Sequence, residues 1–213
     1  MGRIYDATWG RGFAALYDSC FKAVEEAGLR DMRRQLVGQA KGRTIDIGSG
    51  TGANLELYPR EVELVMTEPD PHMARQLRRK LGEADREVEF VQAGAEDLPF
   101  EDASFDSAVF TLVLCTVPNQ RAALVEVSRV LKPGGRMLFL EHVRSESPKL
   151  ARWQDRLEKP WRFIGDGCHC NRDTVAAIEA SPLVIEQVEH DRLPKAPPIT
   201  RPLARGSAIR AAA

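Results

Sequence analysis

Long apolar runs are absent from this 213-residue sequence. No window reaches the roughly 18 apolar residues of a transmembrane helix, and the charged start MGRIYDATWGRGF lacks the apolar stretch of a secretory signal. We therefore expect a cytoplasmic protein with no membrane span. Cysteine is also scarce, and its irregular spacing predicts free thiols rather than a disulfide framework. The four cysteines are Cys20, Cys115, Cys168 and Cys170.

An excess of charge of one sign is missing as well. The chain carries 30 basic and 31 acidic residues, for a formal net charge of -1, and no block of like charge rises far above this average. Nothing resembles the electrostatic footprint of a nucleic-acid binder, so we expect a small-molecule partner and no nucleic acid. The sequence carries no signal for a particular oligomeric state. With 43% hydrophobic residues, its length suits one globular domain over residues 1–213.

Short apolar runs alternate with segments of helical spacing along most of the chain. This rhythm predicts an α/β fold, a Rossmann-like, doubly wound, mostly parallel seven-stranded sheet with helices on both faces. We expect covering helices in residues 1–40, with a break near Gly28, a cofactor-binding core in 43–143, and acceptor-side helices and the last strands in 144–213. The seven runs are TIDIG, VELVMTE, VEFVQAG, FDSAVFTLVL, GRMLFLEH, LVIEQVEH and GSAIR.

A glycine-rich turn follows the first of these runs, in TIDIGSGTG. Glycine at positions 48, 50 and 52 would let backbone N–H groups approach a ligand at the carboxyl end of the strand, although structural turns use glycine too. The spacing departs from the G-x-G-x-x-G fingerprint of NAD sites, and no phosphate-binding G-x-x-x-x-G-K-[ST] occurs. Asp46 beside the turn would repel phosphate but suits an ammonium group.

The next two strands end in acidic residues. Glu68, in LVMTEPD, can accept hydrogen bonds from both ribose hydroxyls of an adenosine, unless it is only a solvated acid before a proline turn. In AGAEDLPF, Gly94 and Ala95 leave room for a flat ring, and Glu96 or Asp97 could accept from an adenine amino group, although acids are common in turns. Together with the glycine turn, these features describe a pocket for a methionine amino group, a ribose and an adenine.

Four motifs in order, IDIGSGTG, TEPD, AEDLPFEDASFDSAV and EVSRVLKPGGRMLFLEHV, resemble the class I S-adenosylmethionine-dependent methyltransferases, in the branch of the ubiquinone and menaquinone biosynthesis methyltransferases. This resemblance covers residues 43–143. A narrower one, carried by PDPHM, TLVLCTV, LEHV, Trp153, Trp161 and IGDGCHCNRDT, is to methyltransferase-like family 7, the microsomal alkyl thiol S-methyltransferases. Those animal proteins have an N-terminal hydrophobic membrane segment that this sequence lacks.

The resemblance implies S-adenosyl-L-methionine as the cofactor and S-adenosyl-L-homocysteine as its product. It assigns Asp46 and the backbone of the glycine turn to the methionine moiety, and Glu68 to the ribose. Thr111, after the fourth strand, would lie beside the methionine end. The cofactor-binding residues implied in this way are Asp46, Gly48, Gly50, Gly52, Glu68, Ala95, Glu96 and Thr111.

The sequence indicates less clearly which residues surround the methyl acceptor. His142 ends the fifth strand and is the candidate catalytic base, with a hydrogen-bonded structural histidine as the alternative. Cys168, His169 and Cys170 could suggest a metal, but adjacent ligands with no second Cys-x-x-Cys pair do not fit four-coordinate zinc, so we expect no metal site. Their segment IGDGCHCN should instead close one wall of the acceptor pocket against TLVLCTV, which contains Cys115.

Two tryptophans complete the candidate acceptor pocket. Trp153 and Trp161 lie on the preceding helical stretch and would either line that wall or belong to the core. The resemblance favours S-methylation of a small thiol, because a narrow apolar pocket suits a polarizable thiolate. The alternatives are O-, N- or C-methylation of a quinone precursor, a phospholipid amine or a secondary metabolite, and cofactor binding without catalysis.

Overall fold

The structure is a computed structural model that describes residue 19 and residues 21–211. After a helical segment that includes residues 21–24, seven strands and five further α-helices follow along this part of the chain. The strands are β1 (Arg43–Ile47), β2 (Glu63–Thr67), β3 (Val88–Val91), β4 (Phe105–Thr111), β5 (Leu131–His142), β6 (Leu183–Arg192) and β7 (Pro202–Arg210). The α-helices are α1 (Arg30–Val37), α2 (Pro71–Glu83), α3 (Gln120–Val130), α4 (Pro148–Ile164) and α5 (Thr174–Glu179).

The seven strands form one sheet in the order β3-β2-β1-β4-β5-β7-β6. β1 to β5 pair in parallel, whereas β7 inserts antiparallel between β5 and β6. The chain order reverses direction at β1 and β4, which is the switch point where ligands bind in doubly wound sheets. The predicted α/β, mostly parallel, seven-stranded fold is thus confirmed.

Helices cover both faces of the sheet, because its strands bury both sides. In β4, Ala108 and Phe110 pack into the core layer that holds Leu124 and Val127 of α3. The intervening Val109 points to the opposite layer, together with side chains of α1 and α2. Successive side chains of a strand point to opposite faces of the sheet, and both faces are buried. The central strands therefore have nearly continuous apolar sequences.

The first helical region bends at Gly28. A π-helical turn at Glu25–Leu29 precedes α1, and Gly28 has φ 139°, a backbone conformation that favours glycine. The predicted break therefore falls at Gly28. The part of the predicted covering helices that lies in residues 1–18 is outside the described residues.

Gly206 of β7 offers a direct test of the strand insertion. A Cβ at this position would overlap the carbonyl oxygen of Gln187 in β6 and lie 3.0 Å from the Cζ of Phe139 in β5. We expect Gly206→Ala to lower the free energy of unfolding by about 1–3 kcal/mol, measured by urea denaturation. Gly82→Ala in α2 is the control, because its added methyl meets no atom within 4 Å and should stabilise the helix by about 0.5–1 kcal/mol. Equal effects of the two substitutions would contradict this packing.

Candidate cofactor and acceptor site

The carboxyl ends of β1 to β5 lie at one edge of the sheet, and they bring the predicted site residues together. Asp46 lies in β1, Glu68 directly follows β2, and Thr111 and His142 are the last residues of β4 and β5. Hydrogen bonds connect the strand ends, since Gly50 N donates to Glu68 Oε2 at 2.8 Å. The side chain of Asn54 joins β1 to β4.

The glycine turn after β1 leaves its backbone open at the centre. Gly48 and Gly50 have φ of 67° and 57°, in the left-handed region. A Cβ on Gly48 would lie 2.7 Å from Val113 Cγ1, so the turn packs closely against the segment after β4. A Cβ on Gly50 would meet no atom within 4 Å. The turn therefore presents free space bounded by backbone, as expected of a ligand-binding loop.

Asp46 is fully buried beneath this turn. Its Oδ2 accepts hydrogen bonds from Asn54 Nδ2 at 2.9 Å and from the Tyr58 hydroxyl at 2.8 Å. Its Oδ1 has no hydrogen-bond partner among the described residues. Burial raises the pKa of the Asp46 carboxyl, and the hydrogen bonds from Asn54 and Tyr58 oppose this rise. A buried acceptor with one free oxygen suits a positively charged donor group.

Arg33 of α1 is a site residue that the sequence reasoning missed. It is 3% exposed, and its Nη1 donates to Thr111 Oγ1 at 2.9 Å and to Asn54 Oδ1 at 3.2 Å. Its Nε pairs with Glu25 at 3.0 Å, and its charge lowers the pKa of Asp46. The available signal was a basic residue on the apolar face of a helix, four residues after the buried Leu29.

Glu68 is held between the glycine turn and the start of α2. Its Oε2 accepts from Gly50 N, and its Oε1 accepts from Asp70 N at 2.9 Å. Asp70 in turn caps α2 by accepting from the backbone N–H groups of the first helical turn. Burial raises the pKa of Glu68 to about 7, against the effect of both backbone hydrogen bonds. The carboxylate thus changes charge near neutral pH.

The residues expected at an adenine lie after β3. Ala95 is buried, and Glu96 is half-buried with its Oε1 accepting from Asn119 N at 3.1 Å. Asn119 caps α3 through its side chain, which accepts from Ala122 N. The position of Glu96 is therefore set by the start of the helix that leads into β5.

The segments TLVLCTV and IGDGCHCN meet, as predicted. His169 N donates to the carbonyl oxygen of Cys115 at 2.8 Å, and the sulfur atoms of Cys115 and Cys168 are 3.8 Å apart. Arg172 Nη1 donates to the carbonyl oxygens of Leu114 and Val117 at 2.8 and 2.7 Å. These two segments form one continuous structure, here called the acceptor wall (residues 113–117 and 165–172).

Glu141 holds the acceptor wall in place through hydrogen bonds, and it is a second residue that the sequence reasoning did not identify. This fully buried residue of β5 accepts from Val113 N at 2.9 Å, Leu114 N at 3.0 Å and Cys115 N at 3.2 Å. Burial raises its pKa to about 7, while the three N–H groups lower it. A single acid in the apolar run MLFLEH was the available signal.

His142 is buried at the same edge. Burial lowers its pKa to about 4, so the imidazole is neutral at physiological pH. A backbone hydrogen bond with Thr200 opposes this shift, and Nδ1 has no partner among the described residues. The charge of Arg33 also lowers the pKa of His142. The charge of Arg33 therefore lowers the pKa of both His142 and Asp46.

The cysteines of the described chain, Cys115, Cys168 and Cys170, are free and buried. The contact with Cys168 and burial raise the pKa of Cys115, which keeps it a neutral thiol. His169 Nδ1 lies 2.8 Å from Glu158 of α4 rather than among sulfur ligands. Within residues 19 and 21–211, no three His, Cys, Asp or Glu side chains are grouped to hold a metal ion.

The two tryptophans differ in position. Trp161 is partly buried, and its indole adds to the contact with Cys115 in lowering the pKa of the Cys168 thiol, against the effect of burial. Trp153 is 48% exposed and lines a surface cavity with Lys149, Arg152 and Arg156. The structure therefore brings Trp161 to the acceptor wall and leaves Trp153 on the outer side of α4.

Comparisons with known proteins agree with this geometry. A family described as "Methyltransferase domain" matches residues 45–139, which contain the glycine turn and the ends of β2 to β4. The thiol S-methyltransferase TMT1B of Homo sapiens is 36% identical over 179 residues, covering 78% of this chain and 73% of that protein. The rat TMT1B is 39% identical over 150 residues, and the alignment spans 61% of its length and 68% of this chain.

Other similarities are shorter or more distant. The ubiquinone/menaquinone biosynthesis C-methyltransferase of Brucella anthropi is 39% identical over 127 residues, covering 56% of this chain and 46% of that protein. The structure of geranyl diphosphate C-methyltransferase from Streptomyces coelicolor, with Mg²⁺, geranyl diphosphate and S-adenosyl-L-homocysteine, gives a TM-score of 0.66 at 16% identity, over 87% of this chain and 79% of that chain. That likeness shows the fold.

The fold and the strand-end site define the chain as a Rossmann-like methyltransferase. Its similarity to the human TMT1B protein extends over most of both chains. The chain belongs to the S-adenosylmethionine-dependent methyltransferase family.

Arg33 should be essential for burying Asp46. We expect Arg33→Met to lower the free energy of unfolding by about 3–5 kcal/mol at neutral pH, because it removes the buried cation that pairs with Glu25 and whose charge favours the ionised form of Asp46. The loss should shrink as the pH falls, since protonation removes the charge of Asp46. Urea denaturation at several pH values measures both effects.

Arg34→Met is the matched control, because the ion pair of Arg34 with Asp31 is exposed and should contribute less than about 1 kcal/mol. Arg33→Lys, which keeps the charge, should retain more stability than Arg33→Met. Equal losses for the lysine and methionine variants would show that the charge does not matter here.

Proposed function

We propose that this chain methylates a small thiol with S-adenosylmethionine. The observation that carries the proposal is the length of the similarity to the thiol S-methyltransferases. It covers 78% of the chain for the human protein, whereas the family match stops at residue 139 and the C-methyltransferase similarity covers 56%. The longer similarity therefore includes segments outside the cofactor core.

We place the cofactor along the strand ends in chain order. Asp46 Oδ1 would receive the ammonium group of the methionine moiety, beside the open backbone of Gly48 and Gly50. Glu68 would accept the ribose hydroxyls, and Ala95 with Glu96 would border the adenine. When bound, this cofactor supplies a methyl group on a sulfonium. The free oxygen of Asp46 and the empty space at Gly50 support this placement.

The acceptor wall would hold the thiol and exclude water. Cys115 and Cys168 give it polarizable sulfur atoms, of which the Cys115 thiol is kept neutral by its raised pKa, and Trp161 adds an aromatic surface. Glu141 fixes the turn at Val113 to Cys115 through three hydrogen bonds, so the wall is held rigidly relative to β5. A thiolate loses less on entering such a site than a hard alkoxide does, which favours sulfur over oxygen acceptors.

His142 is our candidate base for the thiol. It is neutral, buried at the end of β5, and has a free Nδ1, so it is able to accept a proton. Because its pKa is about 4, proton transfer from a thiol to His142 is uphill and would have to be coupled to the transfer of the methyl group. A thiol with a pKa near 8.5 also ionises in solution, so the supply of thiolate from the solvent adds to the rate.

The second candidate function is C-methylation of a quinone precursor. The 39% identity with the Brucella anthropi enzyme over 127 residues favours it. The two functions differ in the acceptor atom and share the cofactor site. Incubation of the purified protein with labelled S-adenosylmethionine and a panel of thiols, phenols, amines and quinols distinguishes them. A quinol turned over at far higher kcat/KM than any thiol would select the second function.

Glu68 should make cofactor binding depend on pH. The carboxylate form accepts from two hydroxyls, and the protonated form loses an acceptor, so the affinity for S-adenosylhomocysteine should rise as the pH passes through about 7. Calorimetry between pH 6 and 8 should show this rise, and Glu68→Gln should remove it and weaken binding by about 1.5–3 kcal/mol. Glu87→Gln, an exposed acid before β3, is the control. An unchanged pH profile in Glu68→Gln would place the ribose elsewhere.

The rate with thiols should rise with pH as the thiolate fraction of the acceptor grows. If His142 takes the proton, His142→Ala should lower kcat/KM about 100-fold at neutral pH, and the loss should shrink at high pH, where the acceptor is already ionised. Steady-state rates with one thiol over a range of pH measure both. A loss that is the same at every pH would indicate a structural role for His142.

A further inference from the structure

Helix α4 has an inner face that is fixed to the acceptor wall. The side-chain amide of the buried Gln154 donates to the carbonyl oxygens of Val143, Cys170 and Ile199 at 3.1, 2.8 and 2.9 Å. One turn further on, Glu158 pairs with His169 of the wall at 2.8 Å. The helix therefore cannot turn its other face inward without breaking these contacts.

The outer face of α4 exposes large apolar side chains. Of the seven large hydrophobic residues that the described chain exposes, four lie on this helix. At about 100° per residue, Trp153, Leu157 and Ile164 share one edge of the helix. The exposed fractions are 48% for Trp153, 36% for Leu157, 50% for Phe163 and 54% for Ile164.

Basic side chains form the adjacent edge. Arg152, Arg156 and Lys159 lie at helical spacing, with Lys149 one turn earlier, and all four are exposed. None of them has an acidic partner within 4.0 Å in residues 19 and 21–211. The two acids of the helix are engaged elsewhere, Asp155 with Arg144 at 2.6 Å and Glu158 with His169. The cations are thus uncompensated, although the whole chain carries a net charge of only -1.

The two edges meet at a surface cavity of about 260 Å³ lined by Lys149, Arg152, Trp153 and Arg156. The Arg156 guanidinium lies 5.7 Å from the centre of the Trp153 ring. An aromatic ring bordered by three cations is suited to an anionic group that enters from an apolar surface. We call these exposed side chains, from Lys149 to Ile164, the α4 face.

We propose that the α4 face docks on the surface of an anionic lipid bilayer. Trp153, Leu157 and Ile164 would enter the boundary between headgroups and acyl chains, while the cations contact lipid phosphates. The flexible stems of Lys and Arg let their charged ends reach the headgroups beside the apolar edge. This is attachment to a surface, and it is compatible with the finding that no described helix has the length and apolar character to cross a bilayer.

Charge and apolarity together favour this occupant over two others. A second copy of the chain in a symmetric contact would bring the same cations against each other, which is unfavourable. Nucleic acid would use the cations and Trp153, but it offers no apolar phase for Leu157 and Ile164. A bilayer with anionic lipids satisfies both edges at once.

The test is vesicle binding by the full chain. We expect co-sedimentation with vesicles of phosphatidylcholine and phosphatidylglycerol, and little with phosphatidylcholine alone. Arg152→Glu combined with Arg156→Glu should weaken binding about 10-fold or more. Trp153→Ala combined with Leu157→Ala should also weaken it, at unchanged charge. The matched control is Arg75→Glu with Arg79→Glu, two exposed arginines at the same spacing on α2.

A second measurement does not depend on the stability of these variants. The tryptophan fluorescence of the wild-type chain should shift to shorter wavelength with anionic vesicles, and Trp153→Phe should abolish the shift. Retained S-adenosylhomocysteine binding shows that each variant is folded. The proposal is overturned if anionic vesicles do not bind, if the α2 variant loses binding equally, or if single-stranded nucleic acid binds more tightly than the vesicles. It is also overturned if the α4 face mediates dimers in solution.

Discussion

The burial of one carboxylate, that of Asp46, organises the whole cofactor edge. A buried charge is costly unless hydrogen bonds and an opposite charge compensate it. The compensation comes from three directions: Asn54 and Tyr58 after the glycine turn, Thr111 at the end of β4 through Asn54, and Arg33 from α1. Elements far apart in sequence must therefore converge on β1. The need to compensate the buried charge of Asp46 therefore fixes the positions of the surrounding site residues.

On the acceptor side, Glu141 is a second buried acid whose hydrogen bonds position a loop. Its carboxylate is fully buried and is compensated by three backbone N–H groups of one turn rather than by a cation. Hydrogen bonds from three consecutive backbone N–H groups hold this turn in one conformation. Two acids, on the strands β1 and β5 that flank β4, thus set the positions of two loops, one on each side of the place where the methyl group would be transferred.

Local signals were readable from the sequence. The glycine turn, the acids after β2 and β3 and the alternation of strands and helices follow from backbone conformation and from side-chain period, so the α/β sheet could be predicted. Arg33 and Glu141 could not be assigned, because their roles depend on partners distant in sequence; Arg33 and Thr111 are 78 positions apart. Trp153 was ambiguous for a related reason, since helical spacing does not reveal which face of α4 turns inward.

The position of β7 has a consequence for how the protein is made. β6 has no neighbour in the sheet other than β7, and β7 lies between it and β5 although it comes last in the chain. During synthesis, β1 to β5 can assemble as soon as they leave the ribosome. β6 must wait, unpaired, until residue 210 has emerged. The growing chain therefore carries an open strand edge on β5 for this interval, and chaperones that shield such edges would act at that stage.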